Sequence, residues 1–158
     1  VINRSGEIIH VDASDYVVGY RHVYPKEDRL DLKDTWFVAA YLKFPKGDMR
    51  SGLQKIKDLL AIRARTQPIN QHSCGSVFKN PPENFAAKLI EGSGLKGHRV
   101  GGAEVSTKHA NFIVNLGDAS SSDVEQVITD VKDTVLSKYK YNLDLEVKIV
   151  GRDGKSLK

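Results

Sequence analysis

An apolar stripe at helical spacing constrains the fold of this chain more than any other feature of its sequence. Six apolar side chains recur every three or four positions within residues 123–139: Val124, Val127, Ile128, Val131, Val135 and Tyr139. This period predicts an amphipathic helix with one face buried against another element. Ser122 and Glu125 have the spacing of a capping box, which predicts where the helix begins.

Other segments predict a mixture of helices and strands. Two more helices are predicted, at residues 48–65, which Asp48 can begin, and at about residues 84–90. Segments rich in β-branched and aromatic residues are predicted to be strands: residues 7–11, Trp36–Phe44, Asn111–Asn115 and Leu143–Val150. Three segments are predicted to be irregular: residues 16–29, the long polar loop 67–82 and a frayed tail at residues 152–158. Together these elements predict an α+β fold.

The length of 158 residues suits one domain or two small ones. A boundary near Thr66–Asn70 would divide the chain into two small units. The chain begins with Val1 in strand-like sequence, so we expect a fragment of a longer protein.

The charge of the chain leaves two classes of function open. Its formal net charge is +4, and its lysines and arginines are scattered without a run of five or six. A small basic module that binds RNA or an acidic partner without catalysis is one alternative. Such a module would cluster basic and aromatic side chains on one exposed face. Apolar runs fall short of the roughly 18 residues of a membrane helix, so no membrane insertion is expected.

The cysteine and histidine patterns argue against a metal site. Cys74 is the one cysteine, which excludes an internal disulfide and a cysteine-based zinc cluster. The five histidines include neither an i, i+4 pair nor a His-Glu-x-x-His motif.

The stretch Gly75–Pro81 is built to hold one hydroxyl group at a fixed position. Gly75 allows a positive φ angle or a close approach of the backbone to a ligand, and Pro81 and Pro82 end regular structure. Ser76 is therefore a candidate proton donor, and a hydroxyl that caps a turn is the structural alternative. The sequence around Ser76 lacks the Gly-x-Ser-x-Gly pattern of a nucleophile elbow.

Two charged residues and one glycine pair are weaker candidates. Arg21 could clamp a carboxylate or phosphate with its guanidinium fork, or be an ordinary surface arginine. Glu146 shares a predicted strand face with Lys148, and a solvated ion pair is the alternative to a functional role. The pair Gly101-Gly102 is only weakly similar to a phosphate-binding loop, because no Gly-Lys-Ser/Thr follows.

A set of short motifs, in order along nearly the whole chain, carries a family resemblance. The motifs are Gly19-Tyr20-Arg21, Arg63 with Gln67-Pro68, Gly75–Pro81, Ala87–Glu91, Gly94–Gly97, Gly101–Ser106, Lys108–Asn115 and Leu145–Gly151. The set resembles the UDP-N-acetylenolpyruvoylglucosamine reductase (MurB) family, flavoenzymes of peptidoglycan precursor synthesis in the bacterial cytoplasm. One motif alone would be weak, whereas the ordered set is specific.

The resemblance implies a reaction, its cofactors and its residues. NADPH reduces FAD, and the reduced flavin delivers hydride to the enolpyruvyl double bond of UDP-N-acetylglucosamine enolpyruvate, which gives UDP-N-acetylmuramate. By resemblance Ser76 is the proton donor, and Arg21 and Glu146 match the other two catalytic positions. The residues matched to the substrate site are Tyr20, Arg63, Asn80 and, more loosely, His109.

The chain departs from the family pattern at three points. Val23 stands where the family has a serine, and Thr66 stands where a lysine is common. The glycine-rich diphosphate loop of the family's N-terminal FAD lobe has no counterpart here. The resemblance therefore implies that residues 1–66 complete an FAD-binding domain and residues 67–158 form the substrate-binding domain. It implies the missing FAD lobe as a partner and no nucleic acid, and we expect the chain alone to bind FAD weakly or not at all and to lack turnover.

Overall fold

A computed structural model describes residues 1–152, 154, 156 and 157 of the chain, the last two by their backbone only. The chain forms two compact units, Val1–Gly47 and Asp48–Lys158, and each is described by itself. The division predicted after residue 66 lies within the second unit and stays a prediction. The α+β prediction is confirmed, because three helices accompany several antiparallel sheets in the described part of the chain.

Short antiparallel pairs make up the first unit. Its strands are β1 (Ile2–Asn3), β2 (Tyr16–Gly19), β3 (His22–Pro25) and β4 (Thr35–Trp36), with 3-10 turns at Ala13–Asp15 and Leu30–Leu32. Strands β1 and β4 form one pair, and β2 and β3 form a hairpin closed by Tyr20 and Arg21. The hairpin corrects the prediction that residues 16–29 are irregular.

Two strand predictions in this unit are wrong. Of residues 7–11, only Ile8 takes part in a β-bridge, with Ile2. Of Trp36–Phe44, only Trp36 belongs to a strand, and Tyr41 and Phe44 are exposed. Strand-forming residues need a partner strand for their backbone groups, and the described residues provide none beyond Trp36.

A four-stranded antiparallel sheet organises the second unit. Its strands are β5 (His72–Ser76), β6 (Arg99–Val100), β7 (Ala103–Val105) and β8 (Phe112–Asn115), in the order β5-β8-β7-β6. The helices are α1 (Met49–Thr66), α2 (Ala86–Gly92) and α3 (Ser121–Tyr139). Helix α3 packs on β6 and β7 and contacts α2. The helices predicted at 48–65, 84–90 and 123–139 are thus confirmed within a few residues, as is the strand predicted at Asn111–Asn115.

The core of the second unit lies between the sheet and the stripe of α3. Val127, Val131 and Val135 are fully buried there, together with Val105 and Ile113 of the sheet. The period that predicted α3 therefore marks its buried face. The capping box was predicted two residues too late: Ser120 Oγ accepts a 3.1 Å hydrogen bond from Asp123 N–H, and Asp123 Oδ2 accepts one of 2.9 Å from Ser120 N–H.

The segments around the sheet differ from prediction in two places. The predicted loop 67–82 contains β5. The predicted strand Leu143–Val150 narrows to β9 (Ile149–Val150), which pairs with the backbone of β10 (Ser156–Leu157), so these two residues of the predicted tail are paired. Asp153, Lys155 and Lys158 of that tail lie outside the described residues.

Candidate functional site

Ser76 is the last residue of β5 and follows a bulge. Ser73 pairs with Val114, and Ser76 pairs with Phe112, so β5 has one residue more than β8 between these pairs. Gly75 lies in this stretch with a φ of 84°, in the left-handed region that glycine tolerates best. The extra residue puts Ser76 on the same sheet face as Ser73 instead of the opposite one.

That sheet face is the one opposite α3. Val105 pairs with Ile113, and both belong to the core beneath α3. Because side chains alternate along a strand, Phe112 and Val114 point the other way, and Ser76 shares their face. The bulge therefore puts the Ser76 side chain on the sheet face opposite the core beneath α3.

Glu146 lies beside the residue that follows Ser76. The Val77 carbonyl accepts hydrogen bonds from two consecutive N–H groups, Glu146 at 2.8 Å and Val147 at 3.4 Å. Two residues against one is the pattern of a second bulge. Phe78 and Leu145 form an antiparallel bridge next to it. The structure thus brings together the backbones of Ser76 and Glu146, which are far apart in the sequence.

Asn111 fixes the other side of the same segment, and sequence reasoning missed this residue as an individual candidate. Its Oδ1 accepts a 2.9 Å hydrogen bond from Phe78 N–H, and its Nδ2 donates one of 2.8 Å to the Phe78 carbonyl. Its own carbonyl accepts a 2.9 Å hydrogen bond from Val77 N–H. Its side chain is buried, at 5% exposure. A polar amide before the apolar run Phe112–Val114 was the available signal, because a buried amide requires partners.

His109 is half-buried in the loop that leads into β8. Its ring packs edge-on against Phe112, with centroids 4.8 Å apart, and its Nδ1 accepts a 3.3 Å hydrogen bond from Asn111 N–H. This bond assigns the hydrogen of the neutral ring to Nε2. Burial, with a smaller contribution from Lys96, lowers the pKa of His109 below its ordinary value of 6.5. A neutral imidazole next to the partner strand of Ser76 can donate a hydrogen bond from Nε2 to a ligand.

Asn80 connects the Ser76 segment to α2. Its Oδ1 accepts a 3.0 Å hydrogen bond from the N–H of Ala86, the first residue of α2. Lys79 N–H donates a 2.8 Å hydrogen bond to the Asp144 carbonyl in the same region. Asn80 therefore has a structural contact in addition to its predicted place in the substrate site, and its predicted role stays a prediction.

Arg21 and Tyr20 belong to the first unit, so the second unit holds only part of the predicted set. They form the two-residue loop of the β2–β3 hairpin, where Arg21 has a φ of 61° and its guanidinium lies 5.6 Å from the Tyr20 ring centroid. Both side chains are exposed. Arg63 is exposed near the end of α1, and its Nε donates a 3.2 Å hydrogen bond to Gln67 Oε1.

The Gly101-Gly102 turn joins β6 to β7 and is closed by the start of α3. A Cβ atom on Gly102 would lie 2.4 Å from the backbone nitrogen of Ala119, and one on Gly101 would lie 2.5 Å from the Asp123 carboxyl carbon. Gly102 N–H donates a 3.4 Å hydrogen bond to Asp123 Oδ2. Close packing against the Ala119 backbone explains Gly102, and a φ of 52° favours glycine at position 101. A carboxylate against the turn makes it a poor fit for the diphosphate of FAD, because like charges repel.

The described residues contain neither a membrane-spanning helix nor a cluster of metal ligands. No helix there is long and apolar enough to cross a membrane. In the same part of the chain, no three His, Cys, Asp or Glu side chains come together as metal ligands.

Comparison with known proteins identifies the family. A model of the C-terminal domain of UDP-N-acetylenolpyruvoylglucosamine reductase matches residues 67–150, the segment that contains Ser76, Asn111 and Glu146. The chain belongs to the UDP-N-acetylenolpyruvoylglucosamine reductase family. The resemblance stated from the sequence motifs is therefore confirmed.

Named relatives of this reductase family match almost the whole chain. The UDP-N-acetylenolpyruvoylglucosamine reductase of Methylococcus capsulatus is 53% identical over 150 residues, which is 95% of this chain and 47% of that protein. The one from Legionella pneumophila strain Paris is 48% identical over 151 residues, or 95% of this chain and 48% of that protein. The chain spans about half the length of the curated relatives it matches.

A solved structure of the same reductase family also matches. The crystal structure of UDP-N-acetylenolpyruvylglucosamine reductase (MurB) from Thermus caldophilus aligns with a TM-score of 0.56 at 38% sequence identity. The alignment covers 66% of this chain and 36% of that one. Fold and sequence thus agree on the family.

Proposed function

We propose that this chain supplies the substrate-binding domain of an enzyme that reduces UDP-N-acetylglucosamine enolpyruvate to UDP-N-acetylmuramate with NADPH and FAD. The reaction belongs to peptidoglycan precursor synthesis, which takes place in the bacterial cytoplasm. One observation carries the proposal within the family. The N–H of Glu146, a predicted catalytic residue, donates a hydrogen bond to the carbonyl of Val77, which directly follows the predicted proton donor Ser76. Two bulges at this meeting point support it, because bulges often lie next to active sites.

Ser76 has the role of completing the reduction with a proton. Reduced FAD, when bound, supplies hydride to one carbon of the enolpyruvyl double bond, and negative charge develops on the adjacent carbon and its carboxylate. Ser76 Oγ–H donates its proton to that adjacent carbon. The transfer forms the new C–H bond and leaves a Ser76 alkoxide, which is reprotonated from solvent. A proton donor placed in this way typically contributes about 10²–10⁴-fold to the rate.

Glu146 and Arg21 orient and stabilise the reacting group. We assign to Arg21 the substrate carboxylate, because a guanidinium fork binds a carboxylate through two parallel hydrogen bonds. Fixed positive charge near the developing enolate lowers the barrier to its formation. Glu146 orients the enol intermediate that forms after hydride addition. Tyr20, Arg63, Asn80 and His109 are assigned to the UDP-sugar, in agreement with the family motifs.

FAD is assigned mainly to a lobe that corresponds to the unmatched half of the family's enzymes. The poor fit of the Gly101-Gly102 turn to a diphosphate supports this division. So does the apolar stripe of α1, where Leu53, Ile56, Leu59 and Leu60 are each 52–57% exposed. An amphipathic helix normally buries such a face. No nucleic acid is assigned as a partner.

A chimera tests the proposal. It joins this chain to the part of the Methylococcus capsulatus relative that this chain does not match. We expect NADPH oxidation by the chimera to require both FAD and UDP-N-acetylglucosamine enolpyruvate, and we expect the chain alone to be colourless and inactive. A chimera that binds FAD but never responds to the UDP-sugar would contradict the function. If this chain alone bound FAD and turned over the substrate, the assignment of FAD to a separate lobe would be wrong.

A further inference from the structure

The side chain of Asn111 replaces a backbone hydrogen-bond partner just beyond the end of the β5–β8 pairing. The regular pairing ends at Ser76 and Phe112. Two residues beyond Ser76, the side-chain amide of Asn111 binds both backbone groups of Phe78, at 2.9 Å and 2.8 Å. A backbone partner would offer one N–H and one carbonyl, and the side-chain amide offers the same pair of groups. The ladder is thereby extended past the bulge by a side chain.

The segment held by Asn111 is the one that joins Ser76 to Glu146. Val77 N–H donates to the Asn111 carbonyl, and the Val77 carbonyl accepts from Glu146 N–H. Phe78, fixed on both sides by the amide, bridges to Leu145. Residues 77 and 78 are therefore bound to Asn111 on one side and to the segment 145–147 on the other, and Ser76 immediately precedes them.

Burial explains why an apolar residue would not serve at this position. Val77, Phe78 and Asn111 are all nearly inaccessible to water. A leucine could fill the volume of Asn111, but it would leave the N–H and carbonyl of Phe78 with two lost hydrogen bonds and no solvent in reach. Phe78 would then be free to shift, and with it the Ser76 hydroxyl and the backbone of Glu146.

We propose that Asn111 is a positioning residue that holds Ser76 and Glu146 in register through Phe78. The catalytic part of this inference rests on the proposed function, in which Ser76 is the proton donor. Its structural part, the fixed register between segments 76–78 and 145–147, does not.

The structural part is tested on the 158-residue chain by amide hydrogen exchange. Asn111→Ala removes the amide, and Asn111→Asp keeps its shape while it removes the donor to the Phe78 carbonyl. Val131→Ala is the matched control, because Val131 is equally buried but lies on α3. We expect the Phe78 and Glu146 amides to exchange at least about ten-fold faster in Asn111→Ala than in Val131→Ala under conditions of equal global stability, and we expect Asn111→Asp, which keeps the acceptor of Phe78 N–H, to have a smaller effect at Phe78. Equal exchange in the variants and the control would overturn the proposal.

The catalytic part is tested in the chimera by following the two half-reactions separately. Asn111→Asp is expected to slow reoxidation of the reduced enzyme by the UDP-sugar about ten-fold or more, as for a misplaced proton donor, and to leave flavin reduction by NADPH unchanged. A variant that slows both half-reactions equally, or neither, would overturn the positioning role. If the unmodified chimera has no turnover, the proposed function fails while the exchange experiment still decides whether Asn111 holds the segment.

Discussion

The backbone N–H of Glu146 donates a 2.8 Å hydrogen bond to the carbonyl of Val77, the residue that follows Ser76. This bond makes neighbours of two motifs at opposite ends of the family-matched region. It also links each motif to a bulge, one at Gly75 and one at Glu146–Val147. Bulges change the direction of side chains at a sheet edge, so the geometry suits the presentation of a reactive group.

The Gly75 bulge predicts a conformational cost for substitution. A Cβ atom at Gly75 would meet nothing within 4 Å, so only the φ of 84° disfavours a side chain. Gly75→Ala is expected to lower the free energy of unfolding by about 1–2 kcal/mol, as measured by urea denaturation. Gly75→Asn is the control at the same site and should cost less, because asparagine tolerates the left-handed region better. Equal losses would indicate that a steric clash determines the cost.

The observed capping box of α3 predicts different results at two nearby serines. Ser120→Ala removes the acceptor of Asp123 N–H and is expected to cost about 0.5–2 kcal/mol in the free energy of unfolding. Ser122→Ala lies inside the helix and should change it by less than about 0.5 kcal/mol. Thermal denaturation of the two variants checks this difference. A larger loss at Ser122 would mean that the helix begins where the sequence pattern first suggested.

The lowered pKa of His109 predicts a loss of stability in acid. As pH falls below about 6.5, the unfolded chain binds a proton at His109 before the folded chain does. The stabilising contribution of the neutral ring is therefore complete above this pH and is lost as pH falls toward the folded pKa. We expect His109→Gln to reduce the difference in unfolding free energy between about pH 7 and about pH 5. An unchanged difference, measured by urea denaturation at each pH, would exclude His109 as its source.

The exposed stripe of α1 predicts that one substitution has different effects in two proteins. Ile56 is 54% exposed, so Ile56→Ala should change the stability of this chain by no more than about 0.5 kcal/mol. In the chimera the same change should cost more, because we propose that the FAD lobe missing from this chain covers the apolar stripe of α1. Val131→Ala serves as control and should have a similar cost in both proteins. Equal effects of Ile56→Ala in the two proteins would argue against a lobe on this face.

The helices were predictable from sequence because their signal is local. The stripe Val124–Tyr139 has the period of α3, and Asp48 begins α1 as predicted, accepting a 2.7 Å hydrogen bond from Ser51 N–H. The capping box was misplaced because Ser120, Ser121 and Ser122 are consecutive, and only the geometry of the turn distinguishes them. Element type thus followed from periodicity, and the helix start required the structure.

Strands were predicted less well because a strand depends on its partner. Trp36–Phe44 has residues suited to a strand, yet only Trp36 pairs with another strand. The β2–β3 hairpin was missed because its loop residues, Tyr20 and Arg21, are not those that usually mark a two-residue turn. Strand β5 was taken for a loop because His72–Ser76 is polar and contains a glycine at the bulge.

The candidate site was also predictable from the sequence only where its signal is local. Ser76 could be singled out from its glycine and proline neighbours, but residue types alone gave no reason to associate it with Glu146. That association came from the family motifs, and the contact through Val77 is consistent with it. Asn111 was missed as a candidate because its role depends on a backbone gap at Phe78 that only the folded chain reveals.

The most direct test of the central claim is stopped-flow measurement of both half-reactions in the chimera with Ser76→Ala. Ser73→Ala is the matched control, on the same strand and the same sheet face. We predict that Ser76→Ala slows reoxidation by UDP-N-acetylglucosamine enolpyruvate by about 10²–10⁴-fold and leaves flavin reduction by NADPH unchanged, while Ser73→Ala alters neither. Equal slowing of both half-reactions by Ser76→Ala, or no slowing of reoxidation, would contradict the assignment of Ser76 as proton donor.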